Sequence, residues 1–148
     1  MIDFIVDASV IAKWFLTESE SDRARTLTNN RRYFLRAPDL LLPELANVFW
    51  KRTMRGEVAA KDVETILKTF LEQHLDVTLR LLPSRILVKQ ASQIAESERH
   101  SLYDSLYLAT AVQAHCRLIT ADDKFVRSVK SPILKPHIVS LNDAALEL

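Results

Sequence analysis

The strongest constraint on the fold is the alternation of short apolar runs with helix-forming segments along the chain. Ile2–Val6 is an apolar, β-rich run interrupted only by Asp3, and Arg117–Thr120 is a similar short run near the other end. Runs of this kind are typical of a parallel sheet whose two faces are both covered. Because strands alternate with helices, we predict an α/β fold, a three-layer sandwich with a small, mostly parallel sheet between helices.

The other elements are predicted from hydrophobic spacing and turn residues. Helices are predicted at residues 9–16, 21–28, 60–73, 87–95 and 102–114. A further helix, with Pro43 in its first turn, is predicted to run to Thr53, and a helical turn to begin at Asp122. Strands are predicted at 77–82 and 137–140, and a loop or very short strand at 37–43. Trp14 and Trp50 are predicted to pack in the core rather than to stack on bases.

The size and composition of the chain indicate one folded unit. With 148 residues and 48% hydrophobic content, we expect a single domain over residues 1–148. The apolar runs are too short to span a membrane, and the first residues lack the features of a secretory signal. The single cysteine, Cys116, cannot form an intrachain disulfide, which fits a reducing compartment. We therefore expect a cytoplasmic protein without membrane association.

The scarcity of glycine excludes several classes of enzyme. Gly56 is the only glycine, whereas P-loop and dinucleotide-binding sites need several so that the backbone can approach phosphates. A Gly-x-Ser-x-Gly hydrolase motif is impossible for the same reason. The four histidines show no zinc-ligand spacing. The sequence Asp7-Ala8-Ser9 also differs from the Asp-x-Asp pair that an aspartyl-phosphate phosphatase requires.

Four acidic residues share a local setting in which an apolar strand or turn leads to a carboxylate at a helix start. Asp7 follows the first strand, Asp122 follows the strand at 117–120, and Glu44 and Asp104 lie at or near helix starts. Because ligands bind beyond the carboxyl ends of parallel strands, we infer that the four meet at one edge of the sheet. Helix capping is the alternative explanation for each residue taken alone.

Converging carboxylates favour a site for a divalent metal ion. They repel one another and raise one another's pKa unless a cation neutralises them. Mg²⁺ takes oxygen ligands, keeps several waters and accepts one or two carboxylates together with phosphate oxygens of a substrate. Clusters of Lys and Arg, at residues 23–36, 51–55 and 124–130, fit a phosphate backbone around an acidic site, although solvated helix faces explain any one of them. Such a metal site would suit a nuclease, because the ion can polarise a scissile phosphate and orient an attacking water.

Four strings of residues resemble the motifs of the PIN-domain family. They are IVDAS at 5–9, PELANVFWK at 43–51, YDSLYLATA at 103–111 and LITADDKF at 118–125. The strings occur in the family's order and span nearly the whole chain. The resemblance implies a small parallel sheet between helices and a ribonuclease that depends on Mg²⁺ or Mn²⁺.

The same resemblance implies roles for individual residues. Asp7 and Asp104 become the principal metal ligands, and Glu44 and Asp122 complete the site directly or through water. Asp122, rather than Asp123, occupies the aspartate position of the Thr-Ala-Asp pattern.

Three further residues match supporting positions of the motifs: Ser9, Thr120 and Asn47. The hydroxyls of Ser9 and Thr120 are expected to hydrogen-bond a carboxylate or a metal-bound water, with helix capping as the alternative. Asn47 lies one turn after Glu44 and either supports the site or orients that helix.

A compact chain of this size resembles in particular the VapC-type toxins of toxin–antitoxin modules. That resemblance implies an RNA substrate, a homodimer, and a small VapB-like antitoxin that inserts a segment, often with an arginine, into the acidic groove. The amphipathic segments 63–71 and 87–95 either offer faces for such contacts or pack on the sheet. Two alternatives stay open: a PIN-like nuclease of RNA maturation or decay without an antitoxin, and a non-catalytic module that binds RNA or protein.

Overall fold

A single parallel sheet forms the centre of the protein in a computed structural model that describes residues 1–146. Residues 147 and 148, the last two of the predicted domain, lie outside the described residues. The strands are β1 (Ile2–Val6), β2 (Tyr33–Pro38), β3 (Leu79–Leu82), β4 (Arg117–Thr120) and β5 (Ile138–Ser140). Their order across the sheet is β3-β2-β1-β4-β5, and the neighbouring strands are parallel.

β1 lies at the centre of this sheet, paired with β2 on one side and with β4 on the other. Ile5 and Val6 are fully buried, as expected of a strand covered on both faces. The chain proceeds from β1 to β2 and β3 on one side and later returns to β4 and β5 on the other. The strand order therefore reverses between β1 and β4, where α/β sheets bind ligands.

Helices cover the sheet as the sequence predicts. In residues 1–146 the α-helices are α1 (Ala8–Phe15), α2 (Ser21–Asn29), α3 (Leu41–Met54), α4 (Ala60–Thr69), α5 (Val88–Glu98), α6 (Leu102–Gln113) and α7 (Asp123–Ser128). α6 packs across β1, β2 and β4 and carries α5, whereas α1 packs on α2 and α3, and α4 packs on α3. The three-layer α/β fold is confirmed. None of the helices within this described part is long and apolar enough to cross a membrane.

The largest departure from the predicted elements is at β2. The predicted loop or very short strand at 37–43 is wrong, because β2 begins at Tyr33 and α3 begins at Leu41. Tyr33, Leu35 and Ala37 are buried. Two arginines before the strand and Arg36 within it obscure this alternation in the sequence. Pro43 does lie in the first turn of α3, where a missing N–H is tolerated.

The helix predicted at 60–73 also differs from the structure. α4 ends at Thr69, and a π-helical turn follows at Phe70–His74. Phe70 is fully buried and packs against the rings of Phe15 and His74. The hydrophobic spacing of the sequence continues through this turn and therefore does not predict the change of helix type.

The two tryptophans occupy different environments. Trp14 is buried, and its indole N–H donates to the carbonyl oxygen of Ala24 at 3.0 Å, so the core prediction is confirmed there. Trp50 is 58% exposed, so the same prediction is wrong for Trp50. The buried face of α3 consists of Leu41, Leu45 and Phe49, and Trp50 lies off that stripe.

Adjacent positions of α3 provide a test of this packing. Phe49→Ala is expected to lower the free energy of unfolding by about 3–5 kcal/mol, because it removes a fully buried ring and leaves a cavity. Trp50→Ala is expected to change it by less than about 0.5 kcal/mol, because that ring is mostly in solvent. Urea unfolding followed by circular dichroism measures both. Similar losses in the two variants would contradict the described orientation of α3.

Candidate active site

Asp7 follows β1 directly and caps the start of α1. Its Oδ1 accepts hydrogen bonds from the backbone N–H of Ser9 at 3.1 Å and of Val10 at 3.3 Å. The Ser9 hydroxyl donates to the same oxygen at 2.5 Å. Asp7 is therefore a helix cap, as the alternative interpretation expected, and its carboxylate is held at the carboxyl end of the central strand.

Two hydroxyl groups connect the ends of β1 and β4. Ser9 Oγ lies 3.5 Å from Thr120 Oγ1 and accepts a hydrogen bond from the backbone N–H of Ala121 at 3.0 Å. Thr120 Oγ1 in turn accepts from the backbone N–H of Asp122 at 3.1 Å. These contacts hold the loop that carries Asp122 beside the start of α1.

Asp122 itself caps α7, since its carboxylate accepts a hydrogen bond from the backbone N–H of Phe125 at 3.0 Å. Capping and a place in the site are compatible, because a carboxylate has two oxygens and several lone pairs.

Glu44 and Asp104 come from the first turns of α3 and α6. The backbone N–H of Asp104 is capped by the hydroxyl of Ser101 at 3.0 Å, so Asp104 does not itself serve as the N-cap. Tyr107, one turn further along α6, is buried and donates its hydroxyl to Glu44 Oε1 at 2.6 Å. This hydrogen bond joins α6 to α3 and fixes the position of the Glu44 carboxylate.

All four acids line one cleft of about 220 Å³ at this edge of the sheet. Three of the lining residues are apolar and eight are polar or charged: Ala8, Val48 and Phe125, then Asp7, Ser9, Glu44, Asn47, Lys51, Asp104, Tyr107 and Asp122. Thr120 is buried beneath it and contacts it through Ser9. Asp123, which adjoins Asp122, is not among the lining residues.

Two further polar residues line the cleft: Tyr107, which was not predicted from the sequence, and Lys51, which was predicted only as a member of a basic cluster. Helical spacing is the signal that would identify them. Lys51 lies seven residues after Glu44 on α3, so the two share a face of that helix, and Tyr107 lies three residues after Asp104 on α6.

Burial and mutual repulsion raise the pKa of three of the four acids. Burial raises the pKa of Asp7 to about 6, despite hydrogen bonds that favour its ionised form, and the charge of Glu44 adds to the rise. Burial also raises the pKa of Glu44, which the Tyr107 hydrogen bond partly offsets and the charge of Asp104 reinforces. The pKa of Asp104 is raised by burial and then by the charge of Asp122. The four carboxylates are thus electrostatically linked.

The donor atoms of the cleft suit a hard divalent cation. Carboxylate and hydroxyl oxygens are the ligands that Mg²⁺ prefers, and the lining residues of the described chain include no His or Cys. Burial, and then the charge of a neighbouring acid, raises the pKa of Asp7, Glu44 and Asp104, so a cation bound among them would stabilise their ionised forms. Among residues 1–146, no three His, Cys, Asp or Glu side chains stand close enough together to form a preassembled metal centre. Mg²⁺ does not require one, because it keeps several waters and takes one or two carboxylates directly.

The raised pKa of Asp7 predicts how stability depends on pH. Its pKa is near 6 in the folded chain against 3.8 ordinarily, so the folded state binds more protons between these values and becomes less stable as pH rises through them. Asp7→Asn removes this loss, and asparagine still caps a helix. In EDTA at about pH 7.5 we expect the free energy of unfolding of the variant to exceed that of the natural chain by roughly 1–2 kcal/mol, since solvent screens part of the charge. Near pH 4 we expect no difference between the two.

Urea unfolding at the two pH values measures this difference. A variant that is less stable than the natural chain by the same amount at both would show that capping, not charge, dominates at Asp7.

The fold of the chain and its family are related to those of known proteins. No significant match was found among curated protein sequences. Among solved structures, the chain is similar to the crystal structure of PAE2754 from Pyrobaculum aerophilum, with a TM-score of 0.66 and 18% sequence identity over 95% of this chain and 85% of that chain. At this identity the likeness concerns the fold. The profile of the PIN domain matches residues 4–130, a span that includes all four acids. The chain therefore belongs to the PIN domain family, which is generally a family of metal-dependent nucleases.

Proposed function

We propose that the chain is a Mg²⁺-dependent endoribonuclease that hydrolyses RNA phosphodiester bonds at the four-carboxylate cleft. The observation that carries the proposal is that Asp7, Glu44, Asp104 and Asp122 line one cleft although they come from four separate parts of the chain. Membership of the PIN family supports a nuclease, and the resemblance of the four motifs supports RNA as the substrate. A module that only binds RNA phosphates gains nothing from a partly buried acidic cluster, which counts against that alternative.

In this proposal, Asp7 and Asp104 are the principal ligands of Mg²⁺, for which Mn²⁺ can substitute, and Glu44 and Asp122 bind directly or through water. An ion held by these residues would supply Lewis-acid chemistry, polarising the scissile phosphodiester and activating a water for attack. The protein's own contribution is orientation, because Ser9 holds the carboxylate of Asp7 and Tyr107 holds that of Glu44.

We further propose that this nuclease is the toxin of a type II toxin–antitoxin module and binds a small VapB-like antitoxin. α4 supports a protein partner, because it has no fully buried residue. Its apolar residues Val63, Ile66 and Leu67 are only partly covered, and Leu71 beyond its end is 51% exposed. The segment at 87–95, in contrast, lies in α5 from Val88 onward, and α5 packs against α6.

A short reading frame beside the gene is the observation that separates the toxin from its alternative. A co-expressed product that binds the chain and blocks cleavage would support the toxin role. Without such a reading frame, a PIN-like nuclease of RNA maturation or decay would be the better description.

Cleavage of RNA is the first experiment. The purified chain is expected to cut single-stranded RNA in Mg²⁺ or Mn²⁺ and to leave it intact in EDTA. Asp104→Asn is expected to lower the rate by about 100-fold or more, because it replaces a charged ligand with a neutral amide. Denaturing gel electrophoresis of an end-labelled oligonucleotide measures the rate, and the matching DNA oligonucleotide tests the preference for RNA.

Asp122 and Asp123 form a matched pair for the same assay. Asp122→Asn is expected to lower the rate by about 10- to 100-fold, whereas Asp123→Asn, whose side chain lies outside the cleft, is expected to leave it within about twofold. Equal effects in this pair, or full activity of Asp104→Asn, would refute the proposed site.

The proposed homodimer has a separate test. Exposed apolar side chains such as Met54 and Ile86 are consistent with a protein contact. Sedimentation velocity at tens of micromolar is expected to show a species of twice the chain mass of 16.9 kDa. Detection of monomer alone under those conditions would contradict the proposed homodimer.

A further inference from the structure

A second cleft adjoins the four-carboxylate cleft along α3. Its volume is about 590 Å³, and its lining residues are Leu40, Pro43, Glu44, Asn47, Lys51 and Tyr103. Glu44, Asn47 and Lys51 line both clefts, and their spacing of three and four residues puts them on one face of α3. The two clefts therefore share a wall.

The second cleft differs chemically from the first. Apart from the three shared residues, its walls are the apolar side chains of Leu40 and Pro43 and the ring of Tyr103, which is 58% exposed. Asn47 contributes an amide that can both donate and accept hydrogen bonds. An aromatic face beside an amide is the combination that recognises an unpaired nucleobase, and the volume lies in the range of small-ligand sites.

Lys51 is the one basic residue among those that line the two clefts in the described chain. Its ammonium group forms no ion pair or hydrogen bond with the residues the structure describes. The next residue, Arg52, is instead paired with Glu18 at 2.7 Å. Lys51 is therefore free to pair with a phosphate at the wall where the clefts meet.

We propose that the second cleft is a nucleobase subsite for single-stranded RNA. One base stacks on Tyr103, Asn47 hydrogen-bonds its edge, and Lys51 pairs with the phosphate that joins this nucleotide to the next. Because Glu44, Asn47 and Lys51 form the wall between the two clefts, a base on Tyr103 places its phosphate beside the acidic cleft. This inference rests on the proposed nuclease function, and it makes Tyr103 a substrate-binding residue that acts on substrate affinity.

Equilibrium binding tests the subsite without requiring cleavage. The probe is a short fluorescent single-stranded RNA, measured by anisotropy with Asp104→Asn as the parent protein. Adding Tyr103→Ala is expected to raise the Kd by about 5- to 100-fold, the range for loss of one base–aromatic stack. Tyr103→Phe keeps the ring and is expected to retain most of the affinity. Trp50→Ala is the matched control, because Trp50 is also 58% exposed but lines neither cleft.

An abasic substitution, moved along the RNA, identifies the base that stacks on Tyr103. At one position the abasic substitution is expected to weaken binding to the protein that keeps Tyr103. The same substitution is expected to have no further effect on binding to Tyr103→Ala, because the base and the ring contact each other. A structural role for Tyr103 would not produce such coupling at a single position. Unchanged affinity of Tyr103→Ala, or no coupling at any position, would overturn the subsite.

The salt dependence of binding tests Lys51 separately. Lys51→Met is expected to reduce the slope of log affinity against log salt by about 0.7, the value for one phosphate contact to a single strand. Lys51→Arg keeps the charge and is expected to keep the slope. An unchanged slope in Lys51→Met would remove the phosphate contact from the proposal.

These outcomes separate the subsite from the nuclease function. If the natural chain binds RNA through Tyr103 but never cleaves it, the nuclease proposal is contradicted and the subsite is supported. If the natural chain cleaves RNA and Tyr103→Ala does not change the affinity for RNA, the nuclease proposal is supported and the subsite is contradicted.

Discussion

The pairing of β1 on both of its edges determines the positions of the other parts of the structure. β1 forms parallel ladders with β2 and β4, and its residues Ile5 and Val6 are fully buried. A one-residue shift of register would turn each of these side chains to the opposite face of the sheet, where it would not fit the packing, so the strand is strongly fixed. Asp7 is the next residue and is therefore held at the edge where the strand order reverses. The pairing of Val6 with Ile119 then brings the end of β4, and with it Asp122, alongside.

Negative charge in the cleft opposes the stability that this framework supplies. Burial alone raises the pKa of Asp7, Glu44 and Asp104, and repulsion between neighbouring acids raises these values further. Hydrogen bonds from Ser9 and Tyr107 partly offset the effect, since each favours an ionised carboxylate. The fold thus keeps the acids close at the expense of stability, a pattern that is typical of sites shaped by chemistry rather than by packing.

Local sequence was sufficient to predict the elements whose structure depends on local interactions. β1 and β4 begin and end at the predicted residues, and the four acids were identified because each stands at the end of a strand or the start of a helix. The start of β2, the π-helical turn at Phe70–His74 and the exposure of Trp50 depend on contacts between distant parts of the chain. The role of Tyr107 was missed for the same reason, because its hydrogen bond exists only when α6 meets α3.

The four acids also differ in what holds them in place. Asp7 and Asp122 follow strands of the sheet, and Asp104 belongs to α6, which packs on three strands. Glu44 belongs to α3, whose main contacts are with α1 and α4, so its position relative to the other acids depends on helix packing and on the hydrogen bond from Tyr107. Lys51 lies on the same face of the same helix. A displacement of α3 would therefore move an acid of the first cleft and the shared wall of the second together, which couples the geometry of the two clefts.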